Sequence, residues 1–551
     1  MTSAPSTTTE FALIDPMTAT PVVDRTVAAV LDKQAEAQPD KLAIVDESGE
    51  SLTYGELRDI SLRTGAGIRA AGVGHQEPVL IMLDNHVDLV TVWAGAGMTS
   101  VIAVTINTAY KGEMLQYVIN KSKAKVAVIE AGYCARLAEI ADGLTELQVV
   151  YVRGEGAELP SRLERRDFQD LGAAEPTCFD RPHVSDIASV IFTSGTEGPS
   201  KAVLCPHGHA FQTSASFTYQ TDQDDVVLVA LPLFHAGGLF AGVLNALRGG
   251  ATAVIRSFSA SRFWDDVRAY GCTQTVLMGA MIDFLWRAPA TDSDQTHPLR
   301  NVTVVPAMPY VREFAERFGI SVESAYGQSE TGTPIIASAK DAEPFLCGYP
   351  RSFFEIRIVD DNDVEVPMGA SGEILIRSNE PWSMFAGYLD DMAATIKATR
   401  NGWVHTGDVG RLDDRGQVFF VDRKKDALRR RGENVSSLEV EKYLVAHPHV
   451  AEAAIVSVPS QHLEDDIKAV VVLEAGAEFD PEHLLRDLYE RLPYFMVPRY
   501  YEVIDELPLT PTKKVAKAEL RKRGITASTW DCEAHGFTVT RSALREEVRS
   551  V

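Results

Sequence analysis

Short runs of β-branched residues alternate with amphipathic segments from about residue 25 to residue 401. Apolar runs of about four to eight residues are typical of buried strands, and an apolar period of about 3.6 is typical of helices. Their alternation predicts helices layered on mainly parallel sheets. The clearest predicted strands are residues 126–130, 149–152, 226–231, 252–255 and 301–305, and the clearest predicted helices are residues 261–270 and 311–318.

The hydrophobic pattern changes after residue 352. Residues 353–378 alternate apolar and polar positions on both sides of the acidic turn 360–363, which predicts an antiparallel hairpin or a small barrel. A turn-rich passage follows Trp403, and the segment after it has its own βαβ-like pattern. The expected fold class is therefore α/β, with a large N-terminal region of layered sheets, a β-rich subdomain and a small α+β C-terminal domain.

These changes predict where the domains begin and end. The predicted parts are a flexible lead-in of residues 1–24, an N-terminal domain of residues 25–423, a C-terminal domain of residues 424–525 and a tail of residues 526–551. The lead-in lacks the basic start and the continuous apolar core of a secretory signal. The tail is too short for a fused carrier domain, so a carrier protein would act in trans.

One uncharged stretch, residues 89–110, is long enough to raise the question of a membrane span. Its threonines, its glycines and Asn107 argue against a helix that faces lipid. The β-branched run Val101–Ile106 instead indicates a buried strand that follows a buried helix. We therefore expect no membrane span.

Composition and charge exclude further classes of protein. The chain has 551 residues, of which 45% are hydrophobic and 24% charged, as in ordinary globular proteins. A net charge of −24 argues against nucleic acid as the main partner, because nucleic-acid-binding proteins have a basic surface. The six cysteines form no CxxC pair, which argues against a zinc ribbon and favours reduced thiols in the cytoplasm.

The strongest local signal for chemistry is the loop from Thr193 to Lys201, directly after the apolar run 188–192. Backbone N–H groups, hydroxyls and a lysine ammonium all bind phosphate oxygens. The spacing is not that of a Walker A motif, and an ordinary surface turn rich in glycine and serine is the alternative. The predicted phosphate ligands are Thr193, Ser194, Gly195, Thr196, Glu197, Gly198 and Lys201.

Seven segments in order resemble the core motifs of the acyl-adenylating superfamily, which contains acyl-CoA synthetases, nonribosomal peptide adenylation domains and beetle luciferases. They are TSGTEGPSKAV (193–203), PLFH (232–235), YGQSE (326–330), GE (372–373), GWVHTGD (402–408), VDRKKDALRRRGENVS (421–436) and PLTPTKKVAK (508–517). The GENVS wording and the segment TWDCEAHGF (529–537) are most similar to carnitine/crotonobetaine-type CoA ligases.

The resemblance implies a nucleotide site and the cofactors ATP, Mg²⁺ and CoA. Tyr326 would stack on adenine, and Glu330 would hold Mg²⁺. Asp408 would accept hydrogen bonds from both ribose hydroxyls, with Arg423 as a second ribose contact. A capping glutamate and a turn-forming aspartate are the alternatives. The remaining members of the predicted nucleotide set are Gly327, Gln328 and Ser329.

The resemblance also implies a catalytic lysine and a hinge. Lys514 would offset the charge that develops at the α-phosphate, and Lys513 stands where relatives have a glycine. Lys425 would be the pivot of a mobile C-terminal domain. Six cations lie within residues 423–431, for which a solvated charged face is the alternative. The residues expected to face CoA are Arg429, Arg431 and Gly432.

The apolar run before His235 predicts that this residue closes a strand, where a satisfied core histidine is the alternative. The resemblance implies that His235 borders an acyl pocket and moves between the two half-reactions. The uncharged run that follows supplies no carboxylate for a substrate ammonium, so an ordinary α-amino acid is not expected as the substrate. Pro306 and Met308 replace small, flexible residues, which favours a small or unusual acid. The predicted pocket residues are Gly237, Gly238, Met278, Gly279, Pro306, Ala307 and Met308.

The predicted protein is therefore an AMP-forming acid–thiol ligase. It would convert an organic acid and ATP into an acyl adenylate and pyrophosphate, and then transfer the acyl group to CoA. Three alternatives stay open: a carrier-protein thiol or an amine as the acceptor, a non-carboxylate acid such as nitrite, and a non-catalytic nucleotide-binding protein. The expected partners are a small acid, ATP and CoA, and a homodimer is left open.

Overall fold

The computed structural model describes residues 15–539 and 544–546, apart from residues 157, 177–178, 194–199, 216–220, 306–309, 342, 425–427, 431–432, 436, 460–464, 493, 495 and 511–513. The described chain divides into two compact units. The first unit contains the described residues up to Ile356 and those from Ile376 to Val404. The second contains Arg357–Leu375 and the described residues from His405 onward. The predicted boundary at residues 423 and 424 lies within the second unit and stays a prediction.

Helices and strands alternate along most of the described chain. The helices are α1 (Pro16–Ala19), α2 (Val27–Ala37), α3 (Tyr54–Ala70), α4 (Val87–Met98), α5 (Gly112–Ser122), α6 (Cys134–Ile140), α7 (His207–Ser214), α8 (Asn245–Gly249), α9 (Phe263–Tyr270), α10 (Gly279–Arg287), α11 (Val311–Phe318), α12 (Met392–Ala398), α13 (Ser437–Val445), α14 (Pro481–Arg491) and α15 (Lys517–Arg523).

The strands up to residue 388 are β1 (Leu42–Val45), β2 (Ser51–Thr53), β3 (Pro78–Met82), β4 (Ile102–Thr105), β5 (Val126–Glu130), β6 (Val149–Arg153), β7 (Glu164–Asp167), β8 (Ile187–Thr193), β9 (Lys201–Pro206), β10 (Val226–Val229), β11 (Thr252–Ile255), β12 (Gln274–Met278), β13 (Asn301–Val305), β14 (Ser321–Gln328), β15 (Gly332–Ala337), β16 (Leu346–Pro350), β17 (Phe354–Val359), β18 (Ser371–Ser378) and β19 (Gly387–Tyr388). The later strands are β20 (Val404–Leu412), β21 (Val418–Arg423), β22 (Leu428–Arg430), β23 (Glu433–Val435), β24 (Val450–Pro459), β25 (Asp465–Leu473), β26 (Tyr500–Val503), β27 (Trp530–Asp531), β28 (Phe537–Val539) and β29 (Leu544–Glu546).

Two largely parallel sheets form the first unit. In the first sheet, neighbouring strands follow the order β16-β15-β14-β13-β12-β10-β11-β1-β2, and the pairs from β14 to β1 are parallel. In the second sheet the order is β19-β9-β8-β4-β3-β5-β6-β7, with parallel pairs from β8 to β7. The predicted fold class and the predicted strands at residues 126–130 and 301–305 are confirmed.

Helices cover the parallel strands, which explains why those strands are apolar on both faces. Val302 and Val304 of β13 are fully buried, and helix α11 packs Val311, Phe314 and Phe318 into the same core. The uncharged stretch 89–110 forms part of the buried helix α4 and the buried strand β4, as predicted. Among the described residues, no helix is both long and apolar enough to cross a membrane.

The end of the predicted lead-in packs against the first unit. Met17 is fully buried. The guanidinium of Arg351 donates to both carboxylate oxygens of Asp15 at 2.8 Å and also to the backbone carbonyls of Gln212 and Ala215. A buried guanidinium needs such partners, because an unpaired buried charge is strongly unfavourable.

The second unit contains antiparallel and mixed sheets. Strands β17, β18, β20 and β21 are neighbours in that order, and a further sheet has the order β24-β25-β26-β27. Strand β27 belongs to the predicted tail and pairs with β26, and the nearby Cys532, Phe537 and Val539 are buried in the same core.

A buried ion pair holds this last sheet together. The side chains of Lys468 on β25 and Glu502 on β26 are fully buried and bonded to each other. Glu502 also accepts hydrogen bonds from Arg523, Thr526 and Ser528. Burial raises the pKa of Glu502, but these hydrogen bonds outweigh it and lower the pKa from 4.5 to about 2.

We predict that this carboxylate makes the second unit sensitive to acid. Because the folded-state pKa is depressed, its stabilisation is complete above about pH 4.5 and is lost as the pH falls toward 2. Glu502→Gln should destabilise the unit by about 3 kcal/mol at neutral pH and flatten the decline in acid. Hydrogen exchange of peptides from β25 and β26 measures both effects. The exposed Glu519→Gln is the matched control, and equal behaviour of the two variants would contradict the prediction.

Candidate active site

The predicted phosphate loop connects two antiparallel strands of the second sheet. Thr193, the last residue of β8, lies opposite Lys201, the first residue of β9, and its hydroxyl donates to the Lys201 carbonyl at 3.4 Å. This pairing brings the two ends of the loop together. The predicted ligands that lie outside the described residues are Ser194, Gly195, Thr196, Glu197 and Gly198.

Glu330, the predicted metal ligand, lies half-buried in the turn between β14 and β15, beside Ser329. Its Oε1 accepts a hydrogen bond from the Tyr388 hydroxyl at 2.8 Å. The ammonium of Lys201 lies 4.8 Å from the centroid of the same tyrosine ring. The structure therefore brings the predicted metal ligand and the predicted phosphate-loop lysine to one side chain, Tyr388.

Tyr326, the predicted adenine-stacking residue, lies near the carboxyl end of β14 with a small exposed fraction of 7%. The pairing of β14 with β15 shifts register between Tyr326 and Gln328, where two residues of β15 face Gly327, as in a β-bulge. Bulges redirect neighbouring side chains and are common beside active sites. The Gln328 N–H donates to the Thr331 hydroxyl at 3.2 Å, which shapes the turn that holds Glu330.

The predicted acyl pocket begins at the carboxyl ends of parallel strands. Met278 ends β12 and Gly279 begins α10. The strand register places Met278 opposite Val305, the last residue of β13. Pro306, Ala307 and Met308 follow Val305 but lie outside the described residues.

His235 lies in a turn, so the expectation that it closes a strand was wrong. Strand β10 ends at Val229, and Pro232, which cannot donate to a sheet ladder, keeps the strand from extending to His235. The His235 N–H donates to the Pro232 carbonyl at 3.1 Å, and its ring centroid lies 4.5 Å from that of Phe234. The residue is half-buried.

Two side chains hold the His235 turn, those of Asn85 in the loop between β3 and α4 and of Thr105 at the end of β4. The Asn85 Oδ1 accepts a hydrogen bond from the Leu233 N–H at 3.0 Å, and the Asn85 amide donates to the Leu231 carbonyl at 3.4 Å. The Thr105 hydroxyl donates to the Phe234 carbonyl at 3.4 Å. Asn85 and Thr105 are therefore positioning residues that the sequence did not single out.

A π-helix, Gly237–Leu244, follows the turn. Such helices are rare and occur often at functional sites. A Cβ atom on Gly238 would lie 2.3 Å from the Pro232 carbonyl oxygen, so only glycine allows this close approach. The predicted pocket residues Gly237 and Gly238 thus pack tightly beside the His235 turn.

The predicted ribose ligand Asp408 belongs to the second unit. It lies on β20 opposite Arg423 on β21, and 2% of its surface is exposed. Its N–H donates to the Thr406 hydroxyl at 3.1 Å, and that hydroxyl donates to the Ile374 carbonyl at 2.7 Å. These bonds tie the part of β20 around Asp408 to strand β18.

Glu373, from the GE motif, holds the backbone beside Asp408. Its carboxylate accepts hydrogen bonds from the Gly407 N–H at 3.1 Å and from the Lys424 ammonium at 3.0 Å. The His405 ring lies 3.5 Å away. The Lys424 N–H also donates to the Gly407 carbonyl at 2.8 Å. Burial raises the pKa of Glu373, but Lys424 and its other partners outweigh it and keep the pKa below its ordinary value.

The remaining predicted residues are placed only in part. Arg429 lies on β22, opposite Asn434 on β23. Lys514 is exposed, on a turn in which its N–H donates to the Thr510 hydroxyl at 3.1 Å. Lys425, Arg431 and Gly432 lie outside the described residues.

Comparison with known proteins establishes the family. The family model described as AMP-binding enzyme matches residues 31–389, well over half of the chain. The chain belongs to the AMP-binding enzyme family. A further model, AMP-binding enzyme C-terminal domain, matches residues 439–514.

Curated and solved relatives agree with this assignment. The crotonobetaine/carnitine–CoA ligase of Citrobacter koseri is 30% identical over 507 residues, which covers 89% of this chain and 98% of that ligase. The structure of ATP-bound MatB from Rhodopseudomonas palustris is similar with a TM-score of 0.80 and 26% identity, over 90% of this chain and 98% of that one. The anthranilate–CoA ligase AuaEII, solved with anthranoyl-AMP, has the same fold, with a TM-score of 0.83 and 22% identity over 92% and 98% of the two chains. The predictions of the family and of an AMP-forming acid–thiol ligase are confirmed.

The residues of this AMP-binding enzyme fit a magnesium ion that arrives with its nucleotide. The described residues contain no cluster of three or more side chains able to hold a metal ion. Mg²⁺ is commonly held by one or two carboxylates, with substrate phosphates and water as the other ligands. Glu330 fits that role, since a carboxylate that accepts one hydrogen bond on Oε1 still presents Oε2 to a cation.

We predict that the backbone conformation of Gly407, the residue before the predicted ribose ligand Asp408, controls nucleotide affinity. Gly407 has φ +66°, and the space where its Cβ would lie is open, so Gly407→Ala adds backbone strain without a clash. A left-handed residue costs about 1–2 kcal/mol, which favours relaxation of this backbone in the free protein. ATP binding has to reverse that relaxation, so ATP affinity measured by calorimetry should fall roughly tenfold.

Gly416 provides the matched control for this variant. It has φ +79° and equally open space at the other end of the β20–β21 hairpin. Gly416→Ala should leave ATP affinity unchanged. An equal loss of ATP affinity in both variants, or no loss in Gly407→Ala, would contradict a specific role of the Gly407 backbone.

Proposed function

We propose that this AMP-binding enzyme activates a small organic acid with Mg-ATP and transfers the resulting acyl group to the thiol of CoA. The observation that supports this most strongly is the arrangement around Tyr388, whose hydroxyl binds Glu330 and whose ring lies beside Lys201. A carboxylate suits a nucleotide-bound Mg²⁺, and a lysine at the base of a phosphate loop suits the phosphates. An enzyme that cleaves ATP at the α-phosphate needs both groups.

In the first half-reaction, the described residues bind and orient the nucleotide. Tyr326 supplies an aromatic face for adenine, and Asp408 supplies a carboxylate for the ribose hydroxyls. Bound Mg²⁺ would neutralise charge on the phosphates. A substrate oxygen attacks the α-phosphorus in line, and the bond to the bridging oxygen breaks, which releases pyrophosphate. The Lys514 ammonium offsets the charge that develops there.

In the second half-reaction, the CoA thiolate attacks the carbonyl carbon of the acyl adenylate and AMP leaves. Lys425 is proposed as the pivot that lets Lys514 withdraw after adenylation. Arg429 and Arg431 are proposed contacts for CoA phosphates, since guanidinium groups bind phosphate oxygens in pairs. We also propose that the enzyme is cytoplasmic, that it can form a homodimer, and that any carrier protein would act in trans.

For the substrate, we propose a small acid without a cationic group. The described residues of the pocket, His235, Gly237, Gly238 and Met278, carry no carboxylate to pair with an ammonium. An ammonium buried without a countercharge is strongly disfavoured. This distinguishes the proposal from the substrates for which the crotonobetaine/carnitine–CoA ligases are named.

The substrate proposal predicts the result of an acid panel. Pyrophosphate release should depend on an acid, and neutral-chain acids should exceed carnitine, crotonobetaine and α-amino acids by at least tenfold in kcat/KM, about 1.4 kcal/mol. The panel runs from acetate through branched, aromatic and long-chain acids to nitrite, and mass spectrometry identifies the product with CoA or an amine. Release of ADP and phosphate would contradict the proposed function, and preference for a cationic acid would contradict the proposed substrate.

Substitutions of Lys514 and Lys425 should impair different half-reactions. Lys514→Ala removes the cation beside the developing charge, so single-turnover pyrophosphate release should fall by about two orders of magnitude while thioester formation from supplied adenylate survives. Lys425→Pro fixes φ at about −65° at the pivot and should impair thioester formation more than pyrophosphate release. If both variants lose the two steps equally while folded, domain alternation is wrong here. Lys513→Ala is the matched control, since it tests which lysine of the pair acts.

A further inference from the structure

A short segment of the first unit, residues 385–389, holds Glu330 at two points. The Phe385 N–H donates to the Glu330 carbonyl at 2.9 Å, and the Tyr388 hydroxyl donates to the Glu330 carboxylate at 2.8 Å. Both the backbone and the side chain of the predicted metal ligand are therefore restrained by the same segment.

The segment is itself fixed to the strand that begins at the phosphate loop. The N–H groups of Ala386 and Leu389 donate to the carbonyls of Leu204 and Ala202 on β9, each at 2.9 Å. The Tyr388 N–H donates to the Thr395 hydroxyl at 2.9 Å. Strand β9 starts at Lys201, so the phosphate loop and the Glu330 turn share one rigid connection.

The ring of Tyr388 adds a second link to that loop. Its centroid lies 4.8 Å from the Lys201 ammonium, within the range in which a cation is attracted to an aromatic face. Lys201 is exposed, whereas Tyr388 is only 7% exposed, so the ring is a fixed surface against which a mobile lysine can rest.

The hydroxyl of Tyr388 donates to the Glu330 carboxylate. A protonated hydroxyl bonded to Oε1 orients the carboxylate plane and leaves Oε2 to face a cation. Its hydrogen bond to a charged acceptor is one of the stronger types.

We infer that Tyr388 is a positioning residue for adenylation, which sets the metal-binding carboxylate of Glu330 through its hydroxyl and the phosphate-loop cation of Lys201 through its ring. The inference rests on the proposed function for the roles of Glu330 and Lys201. It goes beyond that function because it makes one side chain responsible for the relative placement of the negative and positive groups that flank the triphosphate.

Two substitutions separate the contact of the Tyr388 hydroxyl with Glu330 from the contact of its ring with Lys201. Tyr388→Phe removes the hydroxyl and keeps the ring, whereas Tyr388→Leu removes both. Tyr133→Phe is the matched control, because the Tyr133 hydroxyl also donates to a carboxylate, that of Asp84, away from these groups. Unfolding midpoints without ligand show whether each variant is folded.

The first measurement is Mn²⁺ binding, by electron paramagnetic resonance, to enzyme saturated with α,β-methylene-ATP and without an acid. Tyr388→Phe should weaken Mn²⁺ binding roughly tenfold, as expected for a lost hydrogen bond to a charged group, and Tyr133→Phe should not. Unchanged Mn²⁺ affinity in Tyr388→Phe, or no Mn²⁺ binding by the wild type, would overturn the inference.

The second measurement tests the ring. Affinity for α,β-methylene-ATP without metal should be unchanged in Tyr388→Phe and about threefold weaker in Tyr388→Leu. In a Lys201→Met background, Tyr388→Leu should add no further loss, since the cation that used the ring is gone. If Tyr388→Leu still causes its full loss of nucleotide affinity in that background, the proposed role of the ring toward Lys201 is wrong.

Neither measurement requires turnover, so the inference and the proposed function fail separately. If no acid supports pyrophosphate release, the proposed function is wrong even when the Mn²⁺ results agree with the inference. If pyrophosphate is released but Tyr388→Phe binds Mn²⁺ as the wild type does, the inference is wrong and the function stands.

Discussion

Parallel strand pairing is the constraint on which the site in the first unit depends. Parallel strands need crossover connections, so their carboxyl ends meet at one edge of the sheet. In the first sheet this brings the ends of β12, β13 and β14 side by side. The strands are buried on both faces, and the chemistry-bearing side chains therefore lie at the carboxyl ends of the strands or in the turns that follow them.

Antiparallel additions to those parallel sheets carry the residues for phosphate. Strands β9 and β19 extend the second sheet beyond β8 through antiparallel pairs, and they position Lys201 at the base of the phosphate loop and Tyr388. The turn between β14 and β15 in the first sheet positions Glu330. Short antiparallel connections suit this role, because tight turns fix the direction of a side chain more closely than long crossovers do.

Paired buried charges explain much of the remaining architecture. The Asp15 carboxylate meets the Arg351 guanidinium in the first unit, and Lys468 meets Glu502 in the second. Breaking such a pair is costly because it leaves an uncompensated buried charge. Glu373 follows the same rule. By binding both Gly407 and Lys424, its carboxylate joins the backbone beside Asp408 to the residue just before the predicted hinge.

The sequence by itself determined the family, the α/β class and most strands, because apolar periodicity and motif residues are local properties. The strands at residues 126–130 and 301–305 were predicted from pattern alone. Tyr326, Glu330 and Asp408 were candidates because each lies in a contiguous motif. The tertiary structure decided what holds them. Tyr388 lies 58 positions from Glu330, and Glu373 lies 34 positions from Gly407. Strand order and register create those contacts, and both depend on packing between distant segments, which no local pattern records.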